Sequence, residues 1–242
     1  MANVWKSPKI ILILSFSFYK QCTNFTIIMN KFITISEAAA YVKDGMTVMV
    51  GGFMGTGGPN KIMDALVAQG VKDLTVICND TAFPDKGVGK LIVNKQIKRV
   101  IVSHIGTNPA TIELMNKGEL VVTFYPQGTL VECVRAGGAG LGGVLTPTGL
   151  GTVIAEGKQV ITIDGKAYLL EKPIRADIAL LHASVSDELG NLVYKGTTQN
   201  FNPIMATAAD LVIAEVDEVV PTGSLAPEVI HTSSIFVHYI TK

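Results

Sequence analysis

The apolar pattern of this 242-residue chain predicts an α/β domain: an open, mostly parallel sheet with helices on both faces and a small antiparallel hairpin flap. Three observations carry that expectation. Strand-like and helix-like segments alternate regularly over residues 46–145, which calls for parallel strands joined by crossovers. The strands read as nearly unbroken apolar runs, as in Met46-Thr47-Val48-Met49-Val50, the pattern of strands covered on both faces. Later the style changes, and Asp164-Gly165 gives a hairpin turn signal between apolar runs at 159–163 and 167–171.

In chain order, residues 1–28 read as an extension outside the fold. Ile10 to Leu14 is too short an apolar run to span a membrane, and no Ala-x-Ala cleavage site follows it. Met29 then restarts the chain in the manner of a cytoplasmic protein, and residues 29–242 read as one domain. A capped helix is predicted over 34–42, supported by Ser36 and apolar residues at helical spacing. The 46–50 strand runs into glycines and then a helix opened by Pro59, with Ile62, Ala65 and Leu66 on one face and Gly70 as its stop. Residues 74–78 form a second strand ending in Asn79-Asp80-Thr81, followed by a loop through Pro84, Gly87 and Gly89. A third strand covers 99–104 and a short helix 109–116. A fourth strand covers 120–124, running into Pro126-Gln127-Gly128-Thr129 and a helix over 130–135. The stretch 143–151 reads as a loop, and 178–182 and 211–215 as two more strands.

Composition narrows the function classes. With 48% hydrophobic and 17% charged residues the chain can bury a sizeable core. Twenty basic residues balance twenty acidic ones, which argues against nucleic-acid binding through a basic face and against a polybasic membrane patch. Cys22, Cys78 and Cys133 are unclustered, lack metal-ligand spacing and suit a reducing, cytoplasmic compartment. No metal site is expected. His182, His231 and His238 lack metal spacing too, and His104 reads as a hydrogen-bonded strand-end histidine.

The strongest local signal is the glycine loop. Glycine occupies five of the eight positions from 51 to 58. Glycine permits positive φ and close approach, and a glycine loop feeding a helix suits an anionic ligand. A tight turn with no ligand explains the same pattern. A P-loop is excluded because no Lys follows in the required place. A dinucleotide fingerprint fails because Gly55-Thr56-Gly57-Gly58-Pro59 ends in Asn60. Asp80 lies about 20 residues on, where a ribose-binding acid would sit, and so a nucleotide- or sugar-phosphate-binding module remains the alternative.

The whole stretch resembles the N-terminal signature of the alpha (A) subunit of two-subunit CoA-transferases: Asp-Gly-x-x, three apolar residues, Gly-Gly-Phe, three residues, Gly-x-Pro. Asp44-Gly45, Val48-Met49-Val50, Gly51-Gly52-Phe53 and Gly57-Gly58-Pro59 meet every demanded position. Asn79-Asp80-Thr81, Pro126-Gln127-Gly128-Thr129-Leu130, residues 135–140 and 171–177, Gly190-Asn191-Leu192 and Asn200-Phe201-Asn202-Pro203 continue the likeness in order. It is closest to acetate or butyrate–acetoacetate CoA-transferases.

The resemblance implies CoA transfer between short-chain carboxylic acids by covalent catalysis. The nucleophilic Glu is expected on a beta subunit, in an alpha2beta2 assembly. CoA and acyl-CoA are expected as substrates, with no permanently bound cofactor. Gln127 is implied as an oxyanion donor; without the family it reads as a turn Gln facing water. Gly51, Gly52, Phe53, Met54, Gly55, Thr56 and Gly57 are implied as the CoA-binding segment, and Asn79 as a wall of the substrate cleft. Glu113, Glu119 and Glu132 read as exposed helix charges, with Glu132 pairing Arg135. Cys78 and Cys133 read as core thiols. Gly137 to Gly143 reads as a close-approach surface for the partner subunit or a flexible loop.

Overall fold

The computed structural model describes residues 31–242, and the expectation for residues 1–28 lies outside them. Helix α1 (Ile35–Ala40) leads into strand β1 (Thr47–Val50), then α2 (Asn60–Gln69), β2 (Leu74–Ile77) and α3 (Val88–Val93). Next come β3 (Ile97–Val102), α4 (Pro109–Asn116), β4 (Val121–Phe124) and α5 (Gln127–Gly138). Strands β5 (Val144–Thr146), β6 (Val160–Ile163) and β7 (Lys166–Glu171) follow. The chain continues through β8 (Ala176–Asp187), β9 (Leu192–Val193), α6 (Asn202–Met205), β10 (Ala209–Val220) and β11 (Tyr239–Thr241).

Among the described residues, one sheet has the order β11-β10-β8-β1-β2-β3-β4, with β9 antiparallel on β8 and every other neighbouring pair parallel. Alternate residues of each strand enter two different cores. Val48, Val50, Val76, Val100, Ile178 and Leu180 pack with Leu66 of α2, Leu91 of α3 and Leu114 of α4. Met49, Ile77, Ala179, Leu181 and Val212 pack with Leu130 and Cys133 of α5 and Met205 of α6 on the other side. Strands buried on both faces need no polar residue in their middles, which is why their sequences are unbroken apolar runs. The predicted antiparallel flap is a three-stranded sheet, β5-β7-β6, with Asp164 (φ 49°) and Gly165 (φ 75°) forming its hairpin turn.

Several details differ from the sequence reading, each for a physical reason. The cap of α1 is Thr34, not Ser36. Thr34 Oγ1 accepts from the Glu37 N–H at 3.1 Å, and Glu37 Oε2 accepts from the Thr34 N–H at 2.7 Å. That reciprocal box needs a Thr three residues before a Glu, a spacing Ser36 lacks. The expected loop at 84–89 contains the start of α3. Gly89 sits there because an added Cβ would lie 1.9 Å from the Phe83 carbonyl oxygen. The expected loop at 143–151 contains β5, a strand of three residues formed by pairing with β7. Helix α5 begins at Gln127 and runs through Gly137 and Gly138.

Those two glycines do serve close approach, but to their own chain. A Cβ at Gly137 would lie 2.0 Å from the Ile174 carbonyl oxygen, and one at Gly138 2.1 Å from Thr207 Oγ1. Gly137→Ala is therefore expected to destabilise the purified chain by about 1–3 kcal/mol, the usual penalty of overpacking. Urea denaturation of the chain by itself reads this. An unchanged midpoint would mean that the space at Gly137 is not closed by Ile174.

Candidate functional site

The parallel strands point their carboxyl ends at one edge, where open α/β sheets bind ligands. Strand order reverses at β1, with β2, β3 and β4 on one side and β8, β10 and β11 on the other. The glycine loop leaves β1 at that reversal. Asn79 and Asp80 follow β2, Ser103 and His104 follow β3, and Gln127 follows β4. The structure thus brings Gln127, Asn79 and the glycine loop to one edge, and hydrogen bonds join them.

Gln127 is exposed, and its Nε2 donates to Asn79 Oδ1 at 2.8 Å. Asn79 is buried, and its Nδ2 donates to Asp80 Oδ2 at 2.7 Å. The same Asp80 oxygen accepts the Met54 N–H of the glycine loop at 2.8 Å, while Oδ1 accepts the Ala82 N–H at 2.7 Å. Ser103 Oγ stands 2.9 Å from Asn79 Oδ1 and 2.7 Å from its carbonyl oxygen, sharing one proton between them. Asp80 is therefore committed within its own chain. That removes the ribose-binding role on which the nucleotide alternative leaned.

The glycine loop is tighter than its composition suggests. Phe53 and Thr56 exchange backbone hydrogen bonds of 2.9 Å in both directions, closing a two-residue turn on Met54 (φ 48°) and Gly55 (φ 79°). Met54 is an L-residue held at positive φ, and the Asp80 bond to its N–H helps keep it there. Asn200 Oδ1 accepts from the Gly52 N–H at 3.1 Å and its Nδ2 donates to the Thr56 carbonyl at 3.1 Å. Asn202 Nδ2 donates to the Gly57 carbonyl at 2.9 Å. A Cβ at Gly51 would lie 1.8 Å from Asn202 Oδ1, and one at Gly57 2.8 Å from Thr198 Cα. The backbone thus meets other parts of the same chain. The N–H groups of Gly51, Gly52, Phe53, Met54 and Thr56 are engaged internally. Among the described residues no protein acceptor faces those of Gly55, Gly57 and Gly58.

Two openings flank this network. A cavity of about 20 Å³, room for one water, lies beneath the loop against Cys78, Asp80, Ala82 and Val88. A groove of about 390 Å³ runs from Pro126, Gly128 and Glu132 to Val144, Leu145 and Thr148, starting beside Gln127.

The sequence reading missed Glu215 of β10. It is buried, and its Oε2 accepts the Ile62 N–H at 3.0 Å, capping α2 from 153 residues away. Pro59 occupies the cap position of that helix and offers no side-chain acceptor. A Glu closing the apolar run 211–215 was the available signal. Burial raises its pKa above the ordinary 4.5, and the hydrogen bonds from Ile62 and Lys61 and the nearby His182 only partly oppose this.

The remaining candidates are structural. Burial raises both core thiols, Cys133 to about 12. His231 Nδ1 accepts from the Tyr194 N–H at 3.1 Å and His238 Nδ1 from the Val212 N–H at 3.0 Å. His104 is exposed, its backbone bridged to Asp80. Glu132 pairs with Arg135 at 3.0 Å, and Glu113 and Glu119 pair with Lys117 and Lys95 on the surface. Among the described residues no group of three or more His, Cys, Asp or Glu is placed to hold a metal ion. No described helix is long and apolar enough to cross a membrane.

The family model described as Coenzyme A transferase matches residues 32–242. The acetate CoA-transferase subunit alpha of Escherichia coli K12 is 55% identical over 211 residues, 87% of this chain and 96% of that one. The acetoacetyl-CoA:acetate/butyrate CoA transferase alpha subunit of Clostridium acetobutylicum is 51% identical over 213 residues, 88% of this chain and 98% of that one. Among solved structures, an acyl-CoA transferase from E. coli O157:H7 in a thioester complex with CoA aligns with a TM-score of 0.79 at 21% identity. The match covers 87% of this chain and 46% of that one, so the chain spans about half of that longer protein. Glutaconate coenzyme A-transferase from Acidaminococcus fermentans aligns with a TM-score of 0.78 at 21% identity, covering 87% of this chain and 75% of that one. At such identities the two structures speak to fold alone.

The buried Glu215 makes stability depend on pH. Its folded pKa exceeds its unfolded value, so its contribution is fully present below the unfolded pKa and is lost as pH rises through the folded one. Glu215→Gln keeps an acceptor for the Ile62 N–H without the charge. The variant is expected to flatten the fall in melting temperature as pH rises from about 4.5 toward neutrality. Parallel melting curves across that range check it, and identical slopes for both proteins would contradict it.

Proposed function

The chain belongs to the coenzyme A transferase family as an alpha (A) subunit, and from that premise we propose that it builds the oxyanion-binding half of a shared transfer site. The subunit is part of a CoA-transferase. The observation that carries the proposal is the Gln127 amide, exposed at the strand-end edge and held through Asn79 and Asp80 to the glycine loop.

The acid pair we propose is drawn from acetate, butyrate and acetoacetate, the acids in the names of the relatives above. A carboxylate of the beta subunit, expected to be a Glu, attacks the acyl-CoA carbonyl. The C–S bond breaks, CoA leaves as thiolate, and a mixed anhydride joins enzyme and acyl group. The thiolate attacks the enzyme's acyl carbonyl, forming a glutamyl–CoA thioester and releasing the first acid as carboxylate. The second acid repeats these steps in reverse and leaves as its acyl-CoA. CoA is therefore a substrate, and no redox partner is required.

Every addition passes through a tetrahedral oxyanion. Gln127 uses one Nε2 proton on Asn79 and keeps the other for that oxygen. The segment Gly51 to Gly57 takes the CoA side of the cleft. Of its backbone donors, Gly55 and Gly57 are those the protein leaves open to a ligand. Asp80 is the carboxylate of this network, and its two oxygens already hold three N–H groups. That supports a nucleophile from the partner. An alpha2beta2 assembly in the cytoplasm completes the proposal.

Gln127→Ala in the assembled enzyme is expected to lower kcat by about 10²–10³ in acetyl-CoA–acid exchange, the usual loss for one oxyanion donor. The chain assayed without its partner is expected to show no exchange. An unchanged rate in the variant, or full activity from the chain alone, would refute the assignment.

A further inference from the structure

We infer that Asp80 is a positioning residue for the transfer reaction: its carboxylate fixes which end of the Asn79 amide faces Gln127, and so which atom Gln127 turns toward Asn79. The inference rests on the reading of Gln127 as the oxyanion donor.

The argument is one of donors and acceptors. An Asn amide is nearly symmetric in shape and opposite in chemistry at its two ends. Asn79 is buried, and its amide lies between Asp80 on one side and Gln127 with Ser103 on the other. Ser103 has a single proton, shared between the Asn79 carbonyl at 2.7 Å and Oδ1 at 2.9 Å, and so directs the amide only weakly. An ionised carboxylate can only accept. Asp80 Oδ2 therefore draws Nδ2 toward itself at 2.7 Å, and Oδ1 must face Gln127. Gln127 in turn must present nitrogen there, at 2.8 Å. With Asn79 reversed, Gln127 would present Oε1 on the side of Asn79, and an acceptor there would repel the oxyanion that the site must hold.

The same oxygen also receives the Met54 N–H at 2.8 Å, so the relay and the turn at Met54 and Gly55 share one anchor. Asp80 is itself buried, and Oδ1 is tied to the Ala82 N–H at 2.7 Å, so the anchor does not rotate freely. The orientation of the donor and the position of the loop are thus set together.

The test is a double-mutant cycle in the assembled two-subunit enzyme with acetyl-CoA and acetate as probes. Asp80→Asn can offer either a nitrogen or an oxygen to Asn79, which removes the imposed direction at little change in size. It is expected to lower kcat about tenfold or more while KM for acetate changes by less than about threefold. Combined with Gln127→Ala it is expected to cost no more than about threefold beyond Gln127→Ala alone, because the relay has lost the group it orients. A purely structural role would give losses that multiply.

A rate for Asp80→Asn within about twofold of the parent, with Gln127→Ala impaired, overturns the role of Asp80 alone. Multiplying losses overturn it as well. An unimpaired Gln127→Ala overturns the underlying reading and this inference with it. If Asp80→Asn does not assemble, Asp80→Glu goes through the same cycle: the added methylene moves the carboxylate away from the 2.7 Å contact with Asn79 Nδ2, and the same loss in kcat of about tenfold or more is expected. Non-additive losses then support the inference and multiplying ones overturn it.

Discussion

A buried carboxylate, Asp80, is the point on which this strand-end edge depends. It sits at the end of β2 and gathers three N–H groups: one from the glycine loop, one from the chain just after it, and one from the neighbouring Asn79. A carboxylate away from water must be met by donors, or its desolvation goes uncompensated. Here the requirement is met by groups from two strand ends. The burial of one charge therefore ties the loop after β1 to the segment after β2, and through Asn79 to the first residue of α5.

The loop is held by contacts within its own chain for a related reason. Its glycines look, in sequence, like room made for a ligand. In the fold, Gly51 and Gly57 make room for Asn202 and Thr198 of the same chain. Asn200 and Asn202 act as a clamp, each using its amide to bond loop backbone. The cost of ordering a glycine-rich segment is thus met during folding and not on binding, which is the condition for preorganised donors to act. Glu215 completes the support by capping the helix that the loop feeds.

How much of this was legible in the sequence follows from the range of each interaction. Strands β1 and β2 were readable because burial on both faces writes an apolar run into four consecutive residues, and β3 and β4 because of their β-branched residues, although Lys98, Arg99, Val121 and Phe124 are exposed. The flap hairpin was readable because Asp164-Gly165 encodes its own turn. Strands β5, β9 and β11 were not, since two or three residues carry no period and form only against a partner strand. The full twelve-residue lengths of β8 and β10 were hidden because each extends past the end of β1, supported by the other. The site divides the same way. Gln127, Asn79 and the loop were named from a family signature. The network that joins them links residues 26 and 48 positions apart, which no local pattern records. Asp80 was noticed for the wrong reason: its spacing from the glycines suggested a ribose, and its role is to hold the loop.

In the proposed mechanism the choice of neutral donors follows from the charges in the reaction. Both acids, the departing thiolate and the attacking carboxylate are anions, and the tetrahedral intermediates are anions too. A Lys or Arg in place of Gln127 would grip the ground-state carboxylates about as well as the oxyanion, and binding both equally does not speed the chemical step. An amide N–H of fixed direction is less attractive to a diffuse carboxylate and best used by an oxygen at one position. That selectivity requires the amide to be held. It also requires that no nearby carboxylate of the same chain compete for the acyl group. In the proposed mechanism Asp80 meets both conditions at once: its three hydrogen bonds make it a poor nucleophile, and the one to Asn79 is the one proposed to orient Gln127. The same constraint is the physical reason the proposed mechanism takes its anionic nucleophile from the partner subunit: a free carboxylate built next to Gln127 would compete for the donors that the mechanism assigns to the intermediate.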